Sequence, residues 1–204
     1  MRWLHIKYYE IAAGGWLMLL PVCFVLLLLP GGLLVMQANP SNNAREFEQI
    51  YLSYSLPLLT ALAAWWPTFM LKDRLESPGR ELLFVLQQKK LWMTPLFCTI
   101  LYWVWMLPFM LLAPRHGLVS LYQVLLSFGL ALLIAGFGFF LATTTHASII
   151  GFIGGIFINF GVWQGLAHFA SGNEPPIVFT ESLAILLLCS LLFIAIGTWR
   201  LRHF

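Results

Sequence analysis

LKDRLESPGRELLFVLQQKK, residues Leu71–Lys90, lies between two long apolar runs and decides how the rest of the chain is read. From Lys72 to Lys90 it holds five of the eleven Lys and Arg residues and three of the eight acids. Most of the remaining sequence is apolar and nearly free of charge. A charged, helix-forming island in such a chain belongs in water at one surface of a membrane, where a soluble partner can reach it.

Apolar residues make up 60% of the 204 positions and charged residues 9%, and the mean hydropathy is +0.85. A soluble domain carries about 25% charged residues, so this chain could form a core but could not clothe it for water. The formal net charge of +3 is small. No basic stripe accompanies it, which argues against nucleic-acid binding. Cys23, Cys98 and Cys189 all fall in apolar runs and read as small buried hydrophobes rather than a disulfide framework or a metal site. The first apolar run is longer than a signal-peptide core and others follow it, so a cleaved leader is not expected.

Six runs reach or approach the roughly 20 residues that cross the hydrocarbon: Ile11–Met36, Ile50–Leu71, Leu91–Ala113, Leu118–Ala142, Ala147–His168 and Ser182–Trp199. Pro21 and Pro30-Gly31-Gly32 predict a kink or an early end in the first. With both termini cytoplasmic, the inner segments carry Arg2, Lys7, Lys72, Arg74, Arg80, Lys89, Lys90, Arg200 and Arg202, and the outer ones only Arg45 and Arg115. This asymmetry over short loops obeys the positive-inside rule. Trp3, Tyr8, Tyr9, Trp65, Trp66, Trp92 and Trp199 stand near span edges, where they suit the headgroup belt or ordinary packing. The expected fold is therefore all-α, a polytopic membrane protein with six transmembrane helices in a single domain over residues 1–204.

The outer connections differ. Gln37–Gln49 is polar, Pro114-Arg115-His116-Gly117 is a short turn, and Phe169–Glu181 (FASGNEPPIVFTE) sets apolar residues around a Gly-Asn-Glu-Pro-Pro turn. The last reads either as re-entrant half-helices, permissible where protein or water shields their backbone, or as an ordinary surface loop.

Within the island, Ser77-Pro78-Gly79-Arg80-Glu81 has the chemistry of a helix start. Ser77 can accept from first-turn amides, and Pro78 loses nothing at the first helical position. Glu81 favours the positive end of the helix dipole and Lys89 and Lys90 its negative end. Leu82, Leu83, Val85 and Leu86 form an apolar side for the inner membrane surface. A solvated linker accounts for the charges. A docking element for a cytoplasmic protein accounts also for two short helices around Ser77-Pro78-Gly79, and both readings stand on these residues.

The chain carries no G-x-x-x-x-G-K-S/T phosphate cradle and no H-E-x-x-H metal motif. His5, His116, His146, His168 and His203 are scattered and read as polar boundary residues. Ser127 and Ser148 are nucleophile candidates by type alone, since neither sits in a G-x-S-x-G elbow. The apolar runs hold no internal acid, which disfavours a carboxylate protease or a proton-coupled carrier. The fifth run instead has Gly151, Gly154, Gly155, Asn159, Gly161, Gln164 and Gly165. The pairs Gly151/Gly155 and Gly161/Gly165 have G-x-x-x-G spacing for close helix approach, while Asn159 and Gln164 can bond across helices or line a wet path. Thr143, Thr144 and Thr145 are expected to help turn the chain at the inner surface.

The order of elements, and Glu76-Ser77-Pro78-Gly79-Arg80-Glu81-Leu82-Leu83 in particular, resembles the permease subunits of ABC transporters of the type 2 exporter class. The resemblance extends over nearly the whole chain, through a short and degenerate motif; the small outer loop and Pro78 beside the glycine depart from the family pattern. It implies an amphipathic N-terminal segment, six spans, and a cytoplasmic coupling helix between spans two and three. Ser77, Pro78, Gly79, Arg80, Glu81, Lys89 and Lys90 would then contact a separate ATP-binding subunit, which would hold the ATP and magnesium. This chain would bind no cofactor and catalyse no reaction alone. It would pair with a second permease subunit, the same or homologous, in the plasma (inner) membrane and export an amphipathic or hydrophobic substrate: a peptide, a lipid-linked molecule or a drug. A haem-export-like permease, an intramembrane enzyme and a membrane scaffold or immunity protein are the alternatives.

Overall fold

The computed structural model describes residues 19–24, 26, 56–76, 92–112, 121–171 and 177–202. Every regular element among them is helical: α1 (Leu56–Thr60), α2 (Trp65–Glu76), α3 (Met93–Leu112), α4 (Leu121–Thr145), α5 (Ser148–Ser171) and α6 (Ile177–Arg202), with a short helical stretch at 20–24. The polar loop Gln37–Gln49, the turn Pro114–Gly117, Ser77 through Lys90, and most of the first apolar run lie outside the described residues.

α4 is the centre of the bundle. Its 25 residues, LYQVLLSFGLALLIAGFGFFLATTT, hold no proline and many Leu and Ala, so nothing interrupts the helix. Its apolar stretch Val124–Thr145 is 67% buried, with α5 and α6 against its sides, whereas Leu183–Leu201 of α6 is only 22% buried. Both are long and apolar enough to cross a membrane. Close packing on α4 depends on glycine. A Cβ on Gly138 would stand 2.9 Å from the Gly151 carbonyl of α5, and a Cβ on Gly151 would collide with the Gly138 carbonyl. On the other side, Gly197 of α6 receives the Phe139 ring, and a Cβ on Gly136 would stand 3.1 Å from the Ser190 carbonyl.

The expected span Ile50–Leu71 is not one helix. It breaks at residues 61–64 between α1 and α2. Pro67 has no N–H for the carbonyl four residues back, and its ring crowds that carbonyl. The chain answers with two tight turns, Ala63 N–H to the Thr60 carbonyl and Trp65 N–H to the Leu62 carbonyl, both 3.0 Å. Regular bonding resumes at Thr68, whose N–H and hydroxyl both donate to the Ala64 carbonyl, at 3.2 and 2.7 Å. α2 then runs past Leu71 to Glu76, carrying the start of the charged island with it.

Two further expectations change. Phe169–Glu181 is mostly regular helix: α5 continues to Ser171 and α6 begins at Ile177, leaving only 172–176 outside the described residues. Pro175-Pro176 immediately before Ile177 is a helix-start signal rather than the middle of a long loop. Trp65 and Trp66 are packing residues, not belt residues. Trp66 is buried and meets the Tyr102 ring edge-on at 5.7 Å, and Trp65 stacks on Phe69 at 4.1 Å and contacts Phe152 at 4.8 Å. Trp92 and Trp199 are exposed, as a belt would require.

Candidate functional site: the helix-end junction

Four helix ends converge on one face of the bundle. Leu71 and Leu75 of α2, Phe139 and Ala142 of α4, and Leu201 of α6 form one buried apolar cluster. The start of α5 joins them through Glu76. One oxygen of its carboxylate, Oε1, accepts from the Ser148 N–H at 2.8 Å and from the Ser148 hydroxyl at 2.6 Å. A carboxylate there satisfies one of the amides a helix start leaves open and sits at the positive end of its dipole. The Ser148 hydroxyl, then its N–H, and lastly the nearby Lys72 ammonium hold Glu76 below the usual carboxylate range, against a smaller opposing effect of burial.

The geometry before Ser148 is also defined. Thr143, Thr144 and Thr145 do not form the turn; they end α4, each hydroxyl donating to a carbonyl three or four residues back in the same helix. The turn is His146, whose φ of 55° puts a non-glycine residue in the left-handed region that closes many helices. That reversal aims the α5 amides at Glu76.

From this end α5 runs antiparallel along α2 and α1. Ser148, Phe152, Gly155 and Asn159 recur at the spacing of a single helical face. They meet Glu76, Trp65, Ala64 and Thr60 in turn. A Cβ on Gly155 would lie 2.5 Å from the Ala64 Cβ, and one on Gly138 of α4 would lie 2.8 Å from it. Ala64, at the helix break, is thus seated between two glycines. Beyond it, Asn159 donates to the Pro57 carbonyl at 2.9 Å and accepts from the Thr60 hydroxyl at 2.9 Å, and the Tyr102 hydroxyl of α3 donates to the Leu59 carbonyl at 2.6 Å. Three side-chain bonds therefore hold α1, as buried backbone groups near a break in an apolar interior require.

Of the residues singled out in the sequence, Gly151, Gly155 and Asn159 come together on the α1–α2–α4 side. Gly161 does not: nothing stands within 4 Å of its missing Cβ, and Gln164 is exposed. Gly165 lies further along the same helix. Ser77, Pro78, Gly79, Arg80, Glu81, Lys89 and Lys90 lie outside the described residues, but Glu76, the residue before them, is the anchor of the junction. The Ser127 hydroxyl donates to the Val124 carbonyl and accepts from the Trp103 indole, and Ser148 is bonded to Glu76. Among the described residues no three His, Cys, Asp or Glu side chains gather as a metal site. Cys98 is buried, with its Sγ 3.3 Å from Met70 Sδ, and no disulfide joins Cys23, Cys98 or Cys189.

Sequence reasoning missed Glu76–Ser148, whose partners stand 72 residues apart. The available signal was an acid just past the end of one apolar run and a serine at the start of another. No protein-family model, no curated protein and no solved structure matches this chain.

Proposed function

We propose that this chain is the membrane-spanning subunit of an ATP-driven exporter of amphipathic or hydrophobic molecules, with six spans and both termini in the cytoplasm. Two such subunits would enclose the pathway, and each would dock a separate ATP-binding subunit through Lys72–Lys90. The observation that carries the reading is the junction itself. The described part of the charged island ends at Glu76, a residue bonded to the start of α5 and adjoining the buried ends of α2, α4 and α6. A force applied to the island would therefore reach several helices at once.

Membrane insertion is supported by α6, which exposes Ile185, Leu188, Leu191, Leu192, Ile196 and Trp199. So much exposed apolar area along one long helix is unstable in water and at home in hydrocarbon. The shared position of the α2, α4 and α6 ends, with Lys72 and Arg200 near them, agrees with a single inner surface.

Two measurements test the reading. In a background without the native exposed thiols, Lys72→Cys and Arg200→Cys should react with an impermeant maleimide only from the cytoplasmic side; labelling from opposite sides would overturn the topology. Co-expression with a candidate ATP-binding subunit should yield a complex whose ATPase coupling is lost in Arg80→Ala and Glu81→Ala. If a complex forms and both variants couple normally, the docking assignment is wrong.

A further inference from the structure

The two halves of the broken second span are held in different ways. α1 is fixed by directional bonds from Asn159 and Tyr102 to its carbonyls and from Thr60 to Asn159. Between the halves, short turn bonds join Ala63 to Thr60 and Trp65 to Leu62, regular bonding returns only at the Ala64 carbonyl, and Pro67 supplies no donor to the carbonyl behind it. α2 leans on Phe139, Ala142 and Leu201 through Leu71 and Leu75, contacts that are apolar and without direction. Its inner end is then set against α5 by Glu76 and Ser148.

We propose that Trp65–Glu76 is a lever, with its pivot at residues 61–64 and a releasable latch at Glu76–Ser148. The Ala64 methyl, seated between Gly138 and Gly155, provides a small fulcrum that meets no side chain on either glycine. Opening the latch lets the inner half of the span swing away from α5 while α1 keeps its place. The latch is suited to release because Glu76 is exposed, so water can replace Ser148 as the carboxylate's partner. The inference rests on Lys72–Lys90 as the place where an outside force enters, but the lever is a property of this chain alone.

The test uses the whole chain in lipid nanodiscs without any ATPase. Spin labels at Lys72→Cys and Ile149→Cys, both exposed positions, report the separation of the α2 and α5 inner ends, with Cys23 and Cys189 replaced. With Glu76 intact the distances should form one narrow distribution. Glu76→Ala should raise a second, more separated population about tenfold, the factor expected for losing a charge-assisted bond. Pro67→Ala, which restores the missing donor at the pivot, should shrink that population again. Should Glu76→Ala not be recovered folded, Ser148→Ala is read instead, with the same expected outcomes. An unchanged distribution on breaking the latch, or a second population indifferent to Pro67→Ala, overturns the lever. A latch that opens as expected in a chain that binds no ATPase would leave the lever standing and remove the docking reading.

Discussion

Replacing Gly155 with alanine tests whether the α2–α5 seam depends on glycine for space. The new Cβ would stand 2.5 Å from the Ala64 Cβ and 3.4 Å from both Ile134 Cγ2 and the Ile134 carbonyl. Carbon atoms rest at about 3.5–4.0 Å, so α2 and α5 must part by roughly 1 Å at this level. Ala64 has little room to retreat, because Gly138 flanks it on the other side so closely that an added Cβ there would stand 2.8 Å from the Ala64 Cβ, and parting the helices stretches the 2.9 Å bonds between Asn159 and α1. Overpacking of this kind costs about 1–3 kcal/mol, and the better helix propensity of alanine returns about 0.8–1 kcal/mol. A net loss of up to about 2 kcal/mol is expected. Gly161→Ala supplies the contrast: its Cβ meets nothing within 4 Å, so propensity alone acts and the variant should be slightly more stable than the parent. Reversible unfolding in mixed micelles, followed by tryptophan fluorescence, reads both, with Trp65 and Trp66 beside the seam as reporters. Ala64→Gly removes the opposing methyl and should recover most of the Gly155→Ala loss in the double variant. If Gly155→Ala is as stable as Gly161→Ala, or if Ala64→Gly leaves its cost unchanged, close approach is not what Gly155 provides.

Tyr102→Phe strips the Leu59 carbonyl of its donor beside the helix break, and unfolding should show a loss of about 1 kcal/mol, within the range for an unsatisfied buried acceptor. Asn159→Ala and Thr60→Val should be coupled, with a double-mutant cycle returning about 0.6–1.7 kcal/mol; strict additivity would mean that the 2.9 Å bond between them carries no stability. The folded pKa of Glu76 is depressed below 4.5, so its stabilisation is complete above the unfolded value and is lost as pH falls through the folded one. The stability gap between the parent and Glu76→Gln should accordingly be constant near neutrality and close as the pH falls from 4.5 through the depressed folded value; a gap that persists in acid would show that Ser148 does not depend on the charged carboxylate.

Helix positions were largely legible because long apolar runs are a strong signal: Leu91–Ala113 and Ala147–His168 differ from α3 and α5 by a few residues at each end. The spacing of Gly151 and Gly155 was equally visible, since close approach needs a residue without Cβ wherever two helices touch. Partners were not legible. Nothing local distinguishes Gly155, which is packed on Ala64, from Gly161, which faces open space; that depends on where α1 and α2 lie. Pro67 was in plain view inside an expected span, yet the apolar run around it masked its effect on the backbone. Trp65 and Trp66 look like belt residues by their distance from Lys72, and only the packing of α2 on α3 and α5 turns them inward. Pro175-Pro176 marks a helix start as readily as a loop, and the choice is made by how far α5 and α6 remain helical.

Along the single face of α5 formed by Ser148, Gly155 and Asn159, the contacts change character with depth, and this orders how they yield. Asn159 and Thr60 are buried, so separating them leaves polar atoms without water to replace their partner. The Gly155–Ala64 contact has no directional bond and resists compression far more than sliding. Glu76 is exposed, so water can take the place of Ser148 at its carboxylate, at a smaller cost than parting two buried groups. A load applied beyond Glu76 would therefore open the Glu76–Ser148 end first, move next through a seam that permits sliding, and stop at the buried Asn159 bonds. The break at residues 61–64 lies between the part that slides and the part that holds, where bending costs least because Pro67 has already removed a backbone bond.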